Sequence, residues 1–116
     1  MTQLNTLNGQ QGVGLYQLGN VSKMKLLATH APEAMRAYVA FDKAALAEGA
    51  IPSKYKELIA LGVALTTQCP YCIEIHANKA REWGASDQEI AECVLVAAAL
   101  RAGGAVTHGT HAMQEI

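Results

Sequence analysis

Hydrophobic residues recur at intervals of three and four positions from Pro32 onward, which is the spacing of one face of an α-helix. The first such segment starts at Pro32, a residue favoured at the first helical position, and Gly49 supplies its end. A second segment runs from near Pro52 to about Gln68 and is apolar nearly all the way round, which predicts a buried central helix. The sequence shows no convincing strand pattern.

Two further helices are predicted by their terminal residues. Pro70 starts the third helix with Cys69 at its N-cap, and Gly84 ends it. Ser86 and Glu89 stand at the spacing of a capping box, in which each side chain bonds the other residue's backbone N–H. This pair predicts the start of a fourth helix.

The end of the chain predicts a change in the helical pattern. The fourth helix is expected to run to Arg101, after which Gly103 and Gly104 either end it or allow close contact with another backbone. We predict a last short helix over residues 105–113.

The start of the chain differs in composition from the rest. Glycine, glutamine, asparagine and threonine dominate it, with no helical or strand period. We therefore interpret residues 1–25 as an N-terminal extension and residues 26–116 as one all-α domain. The centre of that domain is a predicted helical hairpin that joins the second and third helices and carries C-x-x-C.

The composition predicts that the chain associates with copies of itself. Apolar residues occupy 51% of the 116 positions and charged residues only 16%. A chain of this length leaves much of its surface exposed, so the apolar excess predicts burial between subunits of a homo-oligomer. A net charge of −1 and no Lys/Arg cluster in the sequence argue against nucleic acid as a partner.

The apolar runs also bear on location. The longest fall short of the roughly 20 residues that a bilayer requires, and the start of the chain lacks the features of a secretory signal peptide. We therefore expect no membrane span and a cytoplasmic location. Structural disulfides are rare in that reducing compartment, so the C-x-x-C formed by Cys69 and Cys72 indicates redox chemistry or metal binding.

Three chemically reactive residues share one side of the third predicted helix. Cys69 and Cys72 are three positions apart at its start, and His76 lies one turn deeper on the same stripe. The helix N-terminus stabilises a thiolate and lowers its pKa, and an imidazole one turn away can take the proton. We interpret the third cysteine, Cys93, as a packing residue of an apolar helix.

Glu57 is the only charged residue from position 57 to position 65 of the second predicted helix. A carboxylate on a nearly all-apolar helix is costly without a partner, and His76 is the candidate. A hairpin about Gln68 and Cys69 leaves an axial offset of about 6 Å between Glu57 and His76, and side chains lean toward their own N-termini. We therefore expect a water molecule or another residue between them rather than a direct hydrogen bond.

The spacing E-x(11)-C-x-x-C-x(3)-H, formed by Glu57, Cys69, Cys72 and His76, resembles the core motif of the alkylhydroperoxidase D-like branch of the carboxymuconolactone decarboxylase family. The resemblance covers about residues 26–111, most of the chain. It implies a small all-helical domain that assembles as a trimer or a hexamer. It implies neither a bound cofactor nor a metal.

The resemblance also implies thiol-dependent peroxidase and disulfide-exchange activity. Cys72 would attack a hydroperoxide and become a sulfenic acid, and Cys69 would resolve it by forming a disulfide. His76 would be the base that activates Cys72, and Glu57 would orient His76 or relay protons. A dithiol, such as a lipoyl domain or a thioredoxin-like protein, must then reduce the disulfide. Some peroxidase members carry a histidine between the cysteines, where this chain has Tyr71. The ring of Tyr71 either packs over the thiols or binds substrate through a hydrogen bond from its hydroxyl.

Two alternatives to a peroxidase stay open on the sequence. One is a protein disulfide reductase or exchange protein. The other is a non-enzymatic oligomeric module that binds metal or senses oxidation, in which zinc would be held by Cys69, Cys72 and His76 with His108 or His111 as the fourth ligand. The decarboxylases that name the family do not rely on a cysteine pair, so the pair argues against lactone decarboxylation.

Overall fold

The structure is a computed structural model that describes residues 15–115. These residues form five α-helices, two 3₁₀ turns and no strand, which confirms the all-α prediction. The helices are α1 (Met24–His30), α2 (Pro32–Leu46), α3 (Ser53–Thr67), α4 (Pro70–Glu82) and α5 (Asp87–Gly109). The 3₁₀ turns are Leu18–Lys23 and Thr110–Ala112.

The chain divides into two compact units between Ala47 and Glu48. In the first unit, the 3₁₀ turn leads into α1, and α2 begins at Pro32 as predicted. The α2 helix ends at Leu46 rather than near Gly49, because Ala47 already has extended backbone angles (φ −65°, ψ 151°). No residue from 15 to 47 is buried, so this unit has no core of its own.

Part of the predicted N-terminal extension is helical. The 3₁₀ turn Leu18–Lys23 and the beginning of α1 fall before residue 26, and the rest of the predicted extension, residues 1–14, lies outside the described residues. Local hydrogen bonds hold this segment: Thr29 Oγ1 donates to the carbonyl of Lys25 at 3.0 Å, and the Ala31 N–H donates to that of Leu27 at 2.7 Å. A helix as short as α1 has too few turns to show an apolar period in the sequence.

The second unit contains the predicted hairpin, formed by α3 and α4. The Glu48 carboxylate accepts from the Ser53 N–H and hydroxyl at 3.3 and 3.0 Å, which holds the start of α3. The chain reverses at Gln68, whose φ of 59° is left-handed and ends α3. Cys69 is then extended and caps α4, and Pro70 is the first residue of that helix. The predicted hairpin and its cap are confirmed.

The start of α5 is the predicted capping box. The Ser86 hydroxyl accepts from the Glu89 N–H at 3.0 Å, and the Glu89 carboxylate accepts from the Ser86 N–H at 2.9 Å. The same carboxylate accepts from Lys54 Nζ at 3.0 Å, and this bond raises the pKa of Lys54. The ion pair therefore joins the first turns of α3 and α5.

The predicted interruption of the last helix is wrong. Helix α5 continues through Gly103 and Gly104 to Gly109, and a 3₁₀ turn follows where we expected a separate short helix. Neither Gly103 nor Gly104 has the positive φ that ends a helix at Gly84 (φ 96°). Glycine lowers helix stability by only about 1 kcal/mol, and the alanines and long apolar residues on both sides outweigh that cost.

The core of the second unit lies between α3, α4 and α5. Its buried apolar residues are small except for one leucine: Leu61, Ala64, Ala80 and Ala85. The prediction that α3 is buried all round holds for one face only, because Leu61 is 2% exposed while Ile59 and Val63 are 54% and 56% exposed. The helices α4 and α5 pack against α3 on one side of its axis and leave the other side uncovered in the single chain.

An apolar groove of about 600 Å³ runs between α3 and α5. Its walls are mostly aliphatic, and the larger side chains are Tyr55, Leu58, Ile59, Val63, Val96 and Leu100. Much of the apolar excess seen in the composition therefore lies at the surface of the single chain. Such surface is typical of a protein that associates.

The continuous last helix also meets a membrane criterion that the sequence did not reveal. By length and composition alone, the segment Asp87–Ala112 is long and apolar enough to cross a bilayer, and almost none of it is buried. The charged residues Glu92 and Arg101 divide this segment into shorter apolar runs, so the sequence alone did not suggest a membrane-spanning helix. Helices of soluble proteins meet the same criterion, so the expectation of no membrane span stays a prediction.

Candidate redox site

The two cysteines of the C-x-x-C motif lie side by side at the start of α4. Cys69 is the N-cap and Cys72 stands in the first turn, and both side chains are half-buried, unbridged thiols. Their sulfurs are 2.6 Å apart. A disulfide bond is about 2.05 Å long, so a small movement suffices to form one.

The backbone of the helix start favours an anion on Cys69. The Cys72 N–H donates to Cys69 Sγ at 3.3 Å, which is the bond an N-cap side chain makes. A hydrogen bond from the Cys72 side chain, followed by the N–H groups of Cys72 and Tyr71, lowers the pKa of Cys69, and partial burial opposes this only in part. The first cysteine of the motif therefore ionises more readily than a free cysteine.

Glu57 and His76 make a direct contact, so the expected intervening water or residue is wrong. Glu57 Oε1 lies 2.6 Å from His76 Nδ1, across α3 and α4. The sequence estimate compared positions along the two helix axes, whereas these two long side chains together span the axial offset of about 6 Å. Glu57 is 5% exposed, and a buried carboxylate without a partner is costly, so the side chains adopt the rotamers that meet.

The contact fixes which histidine nitrogen can accept a proton. An ionised carboxylate only accepts hydrogen bonds, so Nδ1 of His76 carries the hydrogen that bonds Glu57. In the neutral form of the ring with that tautomer, the other nitrogen, Nε2, is the acceptor. Since His76 follows Cys72 by four positions on α4, it lies on the same helix face as the sulfur pair.

Tyr71 is the second residue of α4 and its side chain is half-buried. Its backbone N–H contributes to the low pKa of Cys69. The substrate-binding role of the ring stays a prediction.

The zinc alternative finds no ligand set in the part of the chain that the structure describes. No group of three or more His, Cys, Asp or Glu side chains in residues 15–115 is placed to hold a metal ion. His108 and His111 pack against each other at the end of α5, with ring centroids 5.9 Å apart.

The sequence predicted no role for Arg101, which supports the turn before the cysteines. Its guanidinium, on α5, donates to the carbonyl of Thr66 in the last turn of α3. No basic residue stands in that turn itself, and the last carbonyls of a helix lack partners within it. Two sequence features could have predicted this contact: the unpaired carbonyls at the end of α3 and a lone arginine on the apolar helix α5.

Cys93 is separate from this pair. Its thiol, on α5, donates to the carbonyl of Leu58 at 3.1 Å and faces the groove between α3 and α5. Burial raises the pKa of the Cys93 thiol. A protonated thiol that ties two helices together fits the packing role that the sequence predicted.

Comparison with known proteins places the chain among relatives without an established activity. The sequence model of the carboxymuconolactone decarboxylase family matches residues 32–115. An uncharacterized protein of Paracoccus denitrificans, described as protein 4 in the cox locus, is 46% identical over 77 residues, which cover 66% of this chain and 69% of that protein. An uncharacterized protein of Cupriavidus necator is 29% identical over 82 residues, covering 71% and 73% of the two chains.

Two crystal structures are similar to about three quarters of the chain. One is a carboxymuconolactone decarboxylase family protein from Legionella pneumophila in its apo form, with a TM-score of 0.66, 28% identity, and coverage of 78% of this chain and 80% of that one. The other is a protein from Methanobacterium thermoautotrophicum, with a TM-score of 0.71, 30% identity, and coverage of 76% and 99%.

Proposed function

The chain belongs to the carboxymuconolactone decarboxylase family, and we propose that it is a thiol-dependent peroxidase of the alkylhydroperoxidase D-like type. It reduces hydroperoxides through a dithiol/disulfide cycle of Cys69 and Cys72. The single observation that carries this proposal is the 2.6 Å separation of the two sulfurs at the start of α4, beside the buried Glu57–His76 pair. A cysteine pair has no part in lactone decarboxylation, which this site therefore does not favour.

The cycle needs no group beyond the substrate and a reductant. The two thiols give up two electrons and two protons, and a hydroperoxide ROOH takes them to become the alcohol ROH and water. The O–O bond breaks and the S–S bond of the disulfide forms. A dithiol, from a lipoyl domain or a thioredoxin-like protein, then reduces the disulfide by thiol exchange.

His76 and Glu57 serve as the proton relay of the cycle. Nε2 of His76 accepts a proton from the pair when a thiolate is needed, and the imidazolium that results is stabilised by the Glu57 carboxylate at 2.6 Å. Glu57 thus acts through the histidine, as a positioning residue. Tyr71 lies between the sulfurs in sequence, and its half-buried ring is our candidate for contact with the hydroperoxide.

The protein works as a homo-oligomer, a trimer or a hexamer, in the cytoplasm. Association is supported by the exposed apolar side of α3, by the largely unburied α5, and by the lack of buried residues from position 15 to position 47. Two free thiols that must be regenerated suit a reducing compartment. The net charge of −1 provides no basic field for a nucleic acid partner.

Peroxide consumption by the reduced protein tests the proposal directly. The reduced protein is mixed with one equivalent of cumene hydroperoxide, and free thiols and intact mass are followed over time. We expect rapid loss of two thiols and two mass units, restored by dihydrolipoamide. Cys93→Ser is the matched control and keeps this reaction, since Cys93 is separate from the pair. Unchanged thiols in the wild type would overturn the proposal.

Protein disulfide exchange is the second candidate function, and one observation favours it. An N-cap cysteine with a lowered pKa is the group that reacts with external disulfides. Steady reduction of an insulin disulfide at the expense of dihydrolipoamide, without consumption of cumene hydroperoxide, would favour this function over the first.

A further inference from the structure

We propose that Arg101, on α5, is a positioning residue of the Cys69–Cys72 pair. It holds the turn between α3 and α4 in the conformation in which the two sulfurs meet. The inference rests on the proposed redox function of the same site, and adds to it a residue from outside the hairpin that acts on the pair through the backbone.

Three polar contacts between α3 and α5 link residues that are 35 positions apart. They are the Lys54–Glu89 ion pair, the bond from Cys93 to the Leu58 carbonyl, and the bond from Arg101 to the Thr66 carbonyl. A constant offset means that the two helices run parallel and in register. The contacts extend along α3 for about 18 Å, and the one made by Arg101 is at the end nearest the cysteines.

Arg101 supplies a donor that α3 cannot provide for itself. A helical carbonyl normally accepts from the N–H four residues on, and for Thr66 that residue is Pro70, which has no N–H. The carbonyl of Val63, one turn earlier, has a local donor in Thr67 Oγ1 at 3.1 Å. The Thr66 carbonyl accepts from the Arg101 guanidinium, so the end of α3 is held from α5.

This turn sets the position of the first sulfur. Cys69 follows Thr66 by three positions, and its N–H donates to the carbonyl of Ala64 in the same turn at 3.1 Å. Its sulfur lies 2.6 Å from that of Cys72, and a disulfide bond is about 2.05 Å long. A shift of the turn by about 1 Å therefore exceeds the whole movement that bond formation needs, so a contact that fixes the turn also sets how readily the pair closes.

The contact acts through position rather than through charge. Among the described residues, the groups that lower the pKa of Cys69 belong to Cys72 and Tyr71, and Arg101 is not one of them. The guanidinium bonds a neutral backbone carbonyl. Its planar fork presents donors in a fixed geometry, which suits it to hold a turn in place.

The thiol–disulfide equilibrium of the pair tests the assignment. Reduced protein is equilibrated with mixtures of reduced and oxidised glutathione, so that the two thiols form one disulfide while one oxidised glutathione becomes two reduced ones. The oxidised fraction is measured by alkylation and intact mass. Arg101→Met keeps a long side chain and removes the donor. We expect its equilibrium constant for formation of the Cys69–Cys72 disulfide to fall about three- to tenfold, the range that the net loss of one hydrogen bond corresponds to.

Two control variants separate positioning from a purely structural role, and circular dichroism checks that each variant keeps its helices. Arg101→Lys keeps a cationic donor and should recover most of the difference. Lys54→Met removes the ion pair at the far end of the same two helices, so it should leave the equilibrium constant within about twofold of the wild type. The inference is overturned if Arg101→Met stays within twofold of the wild type, or if Lys54→Met shifts the equilibrium as much as Arg101→Met does.

The oxidant in this test is a disulfide, so its outcome does not depend on peroxide. If the wild type forms the disulfide with glutathione but does not consume cumene hydroperoxide, the proposed peroxidase function fails and the comparison of the Arg101 variants still decides the inference. A wild type that forms no Cys69–Cys72 disulfide in these mixtures would overturn both proposals, because there would be no pair to position.

Discussion

The replacement of Glu57 by glutamine tests whether the buried pair acts as one unit. Glutamine has nearly the size of glutamate, so Glu57→Gln keeps the packing of α3 and removes the charge. It also changes the partner offered to His76, because an amide can present either its oxygen or its NH₂ group to Nδ1. When the NH₂ group faces Nδ1, the ring hydrogen moves to Nε2 and the base is lost.

The size of the effect follows from the geometry of the contact. The Oε1 to Nδ1 distance is 2.6 Å, and the side chains of Glu57 and His76 are 6% and 17% exposed, so water screens the interaction little. For histidines that ligate a metal, loss of the group that orients the ring typically costs about 10- to 100-fold in activity, and we take the same range for His76. This range corresponds to about 1.4–2.7 kcal/mol in the activation free energy. We expect the Glu57→Gln variant to form the Cys69–Cys72 disulfide about 10- to 100-fold more slowly than the wild type at pH 7.

A double-mutant cycle separates this role from a general electrostatic effect. The rate of thiol loss with cumene hydroperoxide is measured by stopped flow for Glu57→Gln, His76→Phe and the double variant. In the His76→Phe background we expect Glu57→Gln to change the rate by less than about twofold, since its partner is gone. The matched control is Glu74→Gln, an exposed glutamate on α4 two positions before His76 and so on another face. The reasoning is refuted if Glu57→Gln costs as much without His76 as with it.

Three further predictions concern stability, each measured by urea or thermal unfolding at fixed protein concentration. Gly103→Ala and Gly104→Ala should each stabilise α5 by about 0.5–1 kcal/mol, because a Cβ at either position meets nothing within 4 Å in the single chain. A loss of stability together with a smaller mass in solution would show instead that the backbone of a second subunit packs against these glycines. Leu61→Ala should cost about 2–4 kcal/mol, since Leu61 is the largest fully buried side chain among residues 15–115. A loss below about 1 kcal/mol would contradict its place in the core. Hydrogen bonds, first of all from the Cys72 side chain, lower the pKa of Cys69 in the folded state. The free energy of unfolding of the reduced protein should therefore increase relative to that of Cys69→Ser as the pH rises from the folded pKa to about 8.5, the unfolded value. A difference in stability that is flat or falls with pH would contradict this prediction.

The features that the sequence predicted correctly are local ones. Pro32 and Pro70 at helix starts, the Cys69 N-cap, and the Ser86 capping box each depend on residues within three or four positions. Such interactions are encoded by spacing alone. The cysteine pair was predictable for the same reason, because both sulfurs belong to the first turn of one helix.

The wrong predictions concern features that depend on contacts between distant elements or on competing backbone preferences. Gly103 and Gly104 weaken a helix without ending it, and only the observed φ values show that neither takes the left-handed conformation. The Glu57–His76 contact depends on the rotamers of two long side chains from different helices, which helix rise alone does not give. The exposed side of α3 depends on which faces α4 and α5 cover, and an apolar pattern all round the helix does not select a face.

The cap of α4 links the fold of this site to its chemistry. The bond from the Cys72 N–H to Cys69 Sγ starts the helix, and the same bond stabilises the thiolate. Oxidation replaces that anion with a neutral disulfide sulfur, so the helix start loses a charged acceptor and gains a covalent link across its first turn. Because Gln68 fixes the turn by its left-handed backbone independently of the sulfurs, we expect the chain around the sulfurs to change little when the disulfide forms. A hairpin that holds both forms of the pair in nearly one geometry would suit the repeated oxidation and reduction that the proposed function requires.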